Sequence, residues 1–277
     1  GTHRGDGMGV SIEDVAHRAG VSTATVSRAL RNLPHVSAAT RQGIVVMNTP
    51  GGNTVSTAEH TVALILALSR NVAQACASLK AGRWDRSKYT GNQLEGKTLG
   101  IVGLGRVGQA VARRALGFDM NVIGFDPFLS AERASELGVE GVARLDDLWA
   151  QCDYITLHTP LTPETRNLIG EKEFQVMRPG VRVINCARGG LIDEAALLEA
   201  LDSGKVAGAA IDVFEPEPPP PDHPLVHHPK VVVTPHLGAS TEEAQIQVAI
   251  EAAKLLIDYF RSGHVRFSVN LPNLDRA

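Results

Sequence analysis

The segment Leu99–Gly108 constrains the fold of this chain more than any other feature. It reads Leu-Gly-Ile-Val-Gly-Leu-Gly-Arg-Val-Gly, which predicts a buried strand, a tight glycine turn and the start of a helix. Gly103, Gly105 and Gly108 stand at GxGxxG spacing. In a strand–turn–helix unit, the first glycine permits the turn, the second lets backbone approach a pyrophosphate, and the third lets the helix pack closely. The segment therefore predicts a dinucleotide-binding βαβ unit.

An acidic residue in the expected place supports this interpretation. A second apolar run, residues 121–125, ends at Asp126, which lies 18 residues past Gly108. A carboxylate there can hydrogen-bond the hydroxyls of the adenosine ribose and would repel a 2′-phosphate. The pattern favours NAD over NADP. The alternative is a purely structural turn with a solvated Asp126.

Composition narrows the class of protein further. The 277 residues suffice for two domains, and a hydrophobic fraction of 43% suits a globular core. A net charge of −3 argues against a polyanion binder over the whole surface. The three cysteines (Cys76, Cys152 and Cys186) form no CxxC pair, which favours a reducing, cytoplasmic location. We expect no membrane span, since no apolar run reaches about 18 residues, and no metal site, since no metal-ligand spacing stands out.

The middle of the chain alternates short apolar runs with helical periodicity. This pattern predicts an α/β fold, a Rossmann-like NAD(P)-binding domain with a doubly wound parallel sheet. Predicted strands lie near Gly43–Met47, Leu99–Gly103, Asn121–Phe125, Tyr154–His158, Arg182–Cys186, Val206–Asp212 and Val231–Thr234. Predicted helices lie near Thr57–Ala81, Arg106–Phe118, Asp146–Ala150, Glu171–Val176, Glu194–Ser203 and Thr241–Arg261. The expected domains are a helix-turn-helix-like segment (1–42), the Rossmann domain (43–240), and a C-terminal helix with a tail (241–277).

Polar residues follow four of the predicted strands. Ligands of open α/β sheets bind outside the carboxyl ends of the strands, so these residues should converge. The candidates are His158, Thr159, Pro160, Cys186, Ala187, Arg188, Asp212, His236, Gly238 and Ala239. His236 can serve as a general base and Arg188 can clamp a carboxylate, while a carboxylate within 212–217 can hold the imidazole. The alternatives are a loop histidine and a surface arginine. Cys186 is a weaker candidate for a nucleophile, since no histidine neighbours it in the sequence.

Residues 43–274 also resemble a known family. The stretches that carry the likeness are residues 43–50, 94–105, 185–190, 212–218 and 235–240. They are similar to the D-isomer-specific 2-hydroxyacid dehydrogenases, and within that family to the phosphoglycerate branch. The resemblance implies catalytic roles for Arg188, Glu217 and His236. It further implies NAD contacts for Gly103, Gly105, Arg106, Val107, Gly108, Asp126 and Asp212, and a substrate-side place for Asn53.

The same resemblance carries expectations about substrate and assembly. It implies oxidation of a small, 3-phosphoglycerate-like 2-hydroxy acid by NAD. It implies a homodimer formed through the nucleotide domain, with the helix near Thr57–Ala81 and the Trp84 segment as contacts. The family's separate substrate domain is matched only in part, and residues 1–42 stand where its first half would be. We therefore expect NAD binding with weak or no turnover.

Residues 10–30 have a different pattern. Ser11 can cap a first helix, Gly20-Val-Ser22 can form a turn, and a second helix can run from Thr23 to Leu30. Together with residues 34–41, this segment resembles the helix-turn-helix of the lactose-repressor family. In that motif the second helix enters the major groove of DNA. The resemblance implies that Thr23, Ala24 and Arg28 face bases or phosphates.

Three functions remain open from the sequence. The first is an NAD-dependent dehydrogenase with impaired activity, and the second is a DNA-binding regulator with an NAD-sensing domain. The third is an inactive chimera. Residues 38–41 fit both family patterns, so this tetrapeptide is a natural crossover point for either a gene fusion or an engineered one.

Overall fold

The computed structural model describes residues 42–270. The helices are α1 (Thr54–Ser69), α2 (Val72–Lys80), α3 (Arg106–Leu116), α4 (Ala131–Glu136), α5 (Leu145–Trp149), α6 (Glu171–Val176), α7 (Glu194–Asp202), α8 (Pro224–His227) and α9 (Glu242–Ser262), with a 3-10 turn at Arg86–Tyr89. The strands are β1 (Thr98–Val102), β2 (Asn121–Phe125), β3 (Glu140–Gly141), β4 (Tyr154–Leu157), β5 (Val181–Asn185), β6 (Val206–Ile211) and β7 (Val231–Val233).

The seven strands of the described chain form one parallel sheet in the order β3-β2-β1-β4-β5-β6-β7. Leu99 of β1 lies opposite both Val122 of β2 and Tyr154 of β4. The strand order therefore reverses between β1 and β4, which makes this the switch point where ligands of doubly wound sheets bind. The predicted Rossmann-like fold is confirmed.

Both faces of the sheet are covered by helices. Leu99 and Ile101 pack in one apolar cluster with α1 and α3, while Val102 packs on the other side with α5, α6 and α7. Successive residues of a strand point to opposite faces, so a strand buried on both sides needs a continuous apolar run. This explains why the strand segments show no alternation of apolar and polar residues.

The described residues fall into two compact units. One comprises residues 53–245, and the described parts of the other are residues 42–52 and 246–270. In the smaller unit, Met47 forms an isolated antiparallel bridge with Ser268, and the Asn48 N–H donates to the carbonyl of Phe267. The predicted strand Gly43–Met47 is therefore wrong. Its β-branched residues indicated a buried strand, but Ile44 is 51% exposed and the segment joins no sheet.

The predicted helix Thr57–Ala81 is also wrong in extent. It begins earlier, at Thr54, and breaks between α1 and α2, where Asn71 adopts a left-handed conformation with φ of +52°. Asparagine tolerates this region better than most residues, and apolar periodicity alone did not show the break. The short elements α4, β3 and α8 were not predicted. Only α4 carries a clear local signal, Ser130 accepting from the Arg133 N–H.

The helix-turn-helix predicted for residues 10–30 lies outside the described residues, as does the segment 34–41. Within residues 42–270, no single helix has the length and apolar character needed to cross a membrane. The pair α1 and α2, bent by 63°, meets that test only when the two helices are taken together.

Candidate active site

The glycine turn between β1 and α3 has the geometry that its spacing predicts. Gly103 has φ of +94°, and a Cβ there would lie 2.7 Å from the carbonyl oxygen of His158. A Cβ on Gly108 would overlap the carbonyl oxygen of Gly103, whereas one on Gly105 would meet nothing within 4 Å. The first glycine thus permits the turn, the third permits close helix packing, and the second faces open space that a ligand can fill.

A pocket of about 270 Å³ opens beside this turn, at the carboxyl edge of the sheet. Its walls are formed by Asn53, Thr57, Val107, His158, Thr159, Pro160, Cys186, Ala187, Arg188, His236, Gly238 and Ala239. All of these except Thr57 were predicted as site residues. Three strand-end segments, residues 158–160, 186–188 and 236–239, therefore meet the glycine turn and the start of α1 around one cavity, as the strand-end argument predicts.

Two features show that the pocket suits a polar, phosphate-containing dinucleotide. The hydroxyl oxygen of Thr159 is buried and has no hydrogen-bond partner within the described chain. Helix α3 has Gly105 as its N-cap, with no side-chain cap and no acidic residue in its first turn. The positive end of its dipole favours an anion such as pyrophosphate. The residues present therefore fit NAD.

Asp126 lies just after β2 and braces the glycine turn. Its Oδ2 accepts a hydrogen bond from the Leu104 N–H at 2.8 Å, and its Oδ1 accepts one from the Phe128 N–H at 2.8 Å. An ionised carboxylate has further lone pairs and can accept additional bonds. Asp126 is thus held next to the turn, at the end of the strand where a ribose-binding acid is expected.

His236 and Glu217 form a pair at the rim of the pocket. The Nδ1 of His236 lies 2.7 Å from Oε2 of Glu217, and Oε1 of Glu217 accepts from the Phe214 N–H at 3.0 Å. An ionised carboxylate only accepts hydrogen bonds, so Nδ1 carries the proton. This tautomer leaves the lone pair of Nε2 free to accept a proton. Of the carboxylates in 212–217, Glu217 is the one that holds the imidazole.

The backbone around His236 is held in an unusual conformation. His236 has φ of +55°, a left-handed conformation that is rare for a residue other than glycine. Its N–H donates to the carbonyl of Asp212 at 2.8 Å. The carboxylate of Asp212 accepts from the Leu237 N–H at 2.7 Å and the Gly238 N–H at 2.9 Å. Asp212 thereby fixes the turn that carries His236.

Asp212 is fully buried, yet it is stabilised in its charged form. Burial by itself raises the pKa of this carboxyl, but hydrogen bonds from His60, Thr234 and the two backbone N–H groups together lower the pKa below its ordinary value. Its side chain is not among those that line the pocket. The structure therefore places Asp212 beneath the turn of residues 236–238.

Arg188 is the cation of the pocket wall. The loop that carries it is held by Asn185, whose Nδ2 donates to the Arg188 carbonyl at 2.8 Å and whose Oδ1 accepts from the Ala187 N–H at 3.0 Å. The guanidinium is exposed and donates to the Ala187 carbonyl. A planar guanidinium in this position can bind a carboxylate through two parallel hydrogen bonds.

Two further residues of the wall have strongly shifted pKa values. Burial lowers the pKa of His158 to about 4, so its ring is neutral at pH 7. Burial, together with the nearby charge of Asp212, raises the pKa of the Cys186 thiol to about 12. A thiol in this state is not a nucleophile, because thiolate is the reactive form. The thiol of Cys186 is therefore protonated at pH 7.

Two residues of α1 that belong to this region, Thr57 and His60, were not predicted from the sequence. Thr57 lines the pocket, and His60 lies within 3.2 Å of Asp212. A signal was present, because Asn53, Thr57 and His60 recur at helical spacing on one face of the predicted helix. Within residues 42–270, no cluster of three or more His, Cys, Asp or Glu side chains could hold a metal ion.

The fold, the glycine turn and the paired His236 and Glu217 define an NAD-binding dehydrogenase domain. The family model for the NAD binding domain of D-isomer specific 2-hydroxyacid dehydrogenases matches residues 62–238. The chain belongs to this family. A second model, that of bacterial regulatory proteins of the lacI family, matches residues 11–49. The chain thus joins an NAD-binding dehydrogenase domain to a segment similar to that regulatory family.

Individual proteins agree with this assignment. The D-3-phosphoglycerate dehydrogenase of Archaeoglobus fulgidus is 52% identical over 240 residues, which cover 87% of this chain and 45% of that protein. The chain therefore spans about half the length of the curated relatives it matches. Among solved structures, a glyoxylate reductase from Paecilomyes thermophila is 38% identical with a TM-score of 0.76, covering 84% of this chain and 70% of its own.

A further solved structure contains the expected cofactor. The D-lactate dehydrogenase of Aquifex aeolicus, complexed with NAD and lactic acid, is 30% identical with a TM-score of 0.74. The match covers 84% of this chain and 75% of that one. NAD is the cofactor of the family to which this chain belongs, and the pocket described above fits it.

Proposed function

We propose that this chain is an NAD-dependent dehydrogenase of the phosphoglycerate type. The proposed reaction converts 3-phosphoglycerate to 3-phosphohydroxypyruvate, a reaction of serine biosynthesis. The observation that carries the proposal is the 2.7 Å distance between Glu217 and His236, which lines the pocket together with Arg188. Relatives with 51–52% sequence identity over this region are D-3-phosphoglycerate dehydrogenases.

In this proposal His236 is the general base. Glu217 holds the proton on Nδ1, so Nε2 takes the proton of the substrate hydroxyl, and the imidazolium that forms is stabilised by the carboxylate. Arg188 binds the substrate carboxylate, and Asn53 contacts the substrate from α1. NAD, when bound, accepts the hydride from the carbon that carried the hydroxyl. The products are the 2-oxo acid, NADH and a protonated His236.

The NAD-binding part of the proposal rests on the glycine turn of residues 103–108, called the glycine cradle from here on, and on the pocket beside it. Gly103, Gly105 and Gly108 admit the pyrophosphate, with the backbone of Arg106 and Val107 above it, and Asp126 receives the ribose. The remainder of the cofactor would be surrounded by His158, Thr159, Pro160, Cys186, Ala187, Gly238 and Ala239. Asp212, predicted from the sequence as an NAD contact, would act from beneath the turn of residues 236–238. We expect weak turnover from this chain, because a segment similar to the lacI family stands where the resemblance places the first half of the substrate domain. Hydride transfer is efficient only where water is excluded.

A calorimetric titration with NADH, followed by an assay with NAD and 3-phosphoglycerate in the same buffer, tests this proposal. Micromolar NADH binding with slow turnover that His236→Asn abolishes would support it. Fast turnover would refute the expected impairment but not the dehydrogenase assignment. Absence of NADH binding by a folded chain would refute the proposal as a whole.

A DNA-binding role is the second candidate, because residues 11–49 match the lacI family of regulators. In this version Thr23, Ala24 and Arg28 contact DNA, and the dehydrogenase domain senses NAD. Gel retardation at low salt with Arg28→Ala tests the idea, with Arg144→Ala as a control at an exposed arginine of the dehydrogenase domain. Equal retardation of both variants would rule out readout by this helix. If the chain does not retard DNA and does not bind NADH, the inactive chimera is the remaining alternative.

We further propose a homodimer formed through the nucleotide domain. The contacts would come from α1, α2 and the neighbouring loop, where Trp84 is 79% exposed. A cytoplasmic location is proposed as well, in keeping with the three unpaired cysteines of the described chain. The domain limits at residues 42 and 240 also remain a proposal. Light scattering of the wild type and Trp84→Ala tests the dimer, and a mass that is unchanged between the two would count against this interface.

A further inference from the structure

Helix α1 brings a histidine to the back of the proposed active site. Asn53 and Thr57 line the pocket, and His60 follows one turn later. The Nε2 of His60 lies 3.2 Å from Oδ1 of Asp212 and 3.1 Å from Oγ1 of Thr234. The carboxylate that His60 meets is the one that fixes the turn of residues 236–238.

The direction of these hydrogen bonds follows from the groups involved. The carboxylate of Asp212 only accepts, and the single hydroxyl proton of Thr234 is donated to Oδ1 at 2.6 Å. Thr234 therefore has no proton left for His60, so Nε2 of His60 carries a proton and donates it. Oδ1 thus has three donors, namely His60, Thr234 and the Leu237 N–H.

We propose that His60 is a positioning residue for His236. It acts through Asp212, because each donor to this buried carboxylate keeps it charged and aimed at the Leu237 and Gly238 N–H groups. That turn holds His236 at a φ of +55°, with Nδ1 directed at Glu217. Removal of one donor weakens the anchor, and the strained conformation of His236 then relaxes. The relevance of this role to turnover rests on the dehydrogenase function proposed above.

Packing alone does not account for a histidine at this position. The buried threonine beside it, Thr61, donates its hydroxyl back to the Thr57 carbonyl of the same helix, whereas His60 reaches a different element, and a leucine would fill similar space without a donor. The side chain of His60 is 19% exposed, and its Nε2 lies within hydrogen-bond distance of Asp212 and Thr234. The structure therefore assigns to this side chain a polar role that connects the pocket-lining helix to the turn of His236.

The test compares His60→Leu, which removes the donor, with His60→Gln, whose terminal amide can replace it. The readout is the tautomer of His236, measured by ¹⁵N NMR of the histidine-labelled chain without cofactor and assigned with His236→Asn. We expect the wild type and His60→Gln to show the Nδ1–H form. In His60→Leu the ratio of tautomers should shift about five- to tenfold toward Nε2–H. His228→Leu is the matched control. His228 lies just before β7 and contacts Asp202 of α7, away from the pocket.

Two results would overturn the proposal. One is an unchanged His236 tautomer in a folded His60→Leu chain, and the other is an equal shift in His60→Leu and His60→Gln. If His60→Leu does not fold, His60→Asn replaces it, because its amide is one bond too short to reach Asp212 and the same shift is expected. NADH binding and turnover are measured on the same samples. Absence of NADH binding by the folded wild type would refute the proposed dehydrogenase function without affecting the tautomer result.

Discussion

The glycine cradle of this pocket and its proposed catalytic rim are built in opposite ways. The cradle lies within residues 103–108 and works through backbone shape. Gly103 and Gly108 have no room for a Cβ, and Gly105 faces open space. The rim consists of side chains from three strand ends, Arg188, Glu217 and His236, and works through their charge and hydrogen bonds. A local segment is therefore sufficient to form a nucleotide site, whereas the proposed chemistry requires the assembled sheet.

The largest expected effect tests whether the rim acts independently of the cradle. His236→Asn removes the proposed base, so turnover of 3-phosphoglycerate should fall by about 10²- to 10⁴-fold while the calorimetric affinity for NADH stays the same. His227→Asn, at an exposed histidine after the proline-rich loop, is the control and should leave turnover unchanged. A parallel loss of NADH affinity in His236→Asn would show that the two regions are not separable.

The second prediction separates two roles inside the cradle. Gly108→Ala places a methyl group against the Gly103 carbonyl, so we expect a loss of about 3 kcal/mol in the free energy of unfolding, with loss of NADH binding. Gly105→Ala meets no neighbour and keeps a permitted φ of −69°, so NADH binding should weaken at unchanged stability. Urea unfolding and calorimetry measure both. Equal destabilisation by the two substitutions would contradict this division.

The third prediction concerns His158, whose backbone carbonyl faces the cradle while its ring belongs to the pocket wall. Its folded pKa, about 4, lies below the ordinary value of about 6.5. Above pH 6.5 the His158 ring is neutral in both the folded and the unfolded protein. Between pH 6.5 and 4 the ring is protonated in the unfolded chain but stays neutral in the folded one. Stability is therefore lost as the pH falls through this window.

In His158→Gln this loss is absent. Relative to the wild type, the variant should gain about 1–2 kcal/mol in free energy of unfolding on going from pH 7.5 to 4.5, allowing for partial exposure of the ring. Urea titrations of both proteins at the two pH values measure the difference. A pH-independent difference would show that His158 titrates normally.

The smallest effect concerns the cysteines. Because burial raises the pKa values of Cys152 and Cys186 to about 12, iodoacetamide at pH 7.5 should modify the exposed Cys76 and leave the other two intact. Peptide mass spectrometry identifies the site, Cys76→Ser should abolish labelling, and NADH binding should not change. Alkylation at Cys186 would show that the rim is more open than its burial indicates.

Much of the pocket could be predicted because its residues follow strands that are easy to recognise. Once a parallel sheet is assumed, the segments after β4, β5 and β7 must share an edge. The sequence therefore predicts that Thr159, Arg188 and Gly238 lie close together. The failures were of another kind. The apolar run Gly43–Met47 indicated a strand, but among residues 42–270 it pairs only with the segment near Ser268. Local sequence does not reveal the lack of a neighbouring strand.

The sequence by itself determined the glycine turn, the doubly wound sheet and the set of residues at its carboxyl edge, because these depend on local conformation and on hydrophobic periodicity. Only the tertiary structure decided which groups form pairs. It set Glu217 on Nδ1 of His236, placed Asp212 beneath the following turn, and brought His60 and Thr234 to the same carboxylate oxygen. Such contacts join residues far apart in the chain, and hydrogen bonds act only within about 3 Å. Their partners are therefore fixed by the packing of the helices against the sheet.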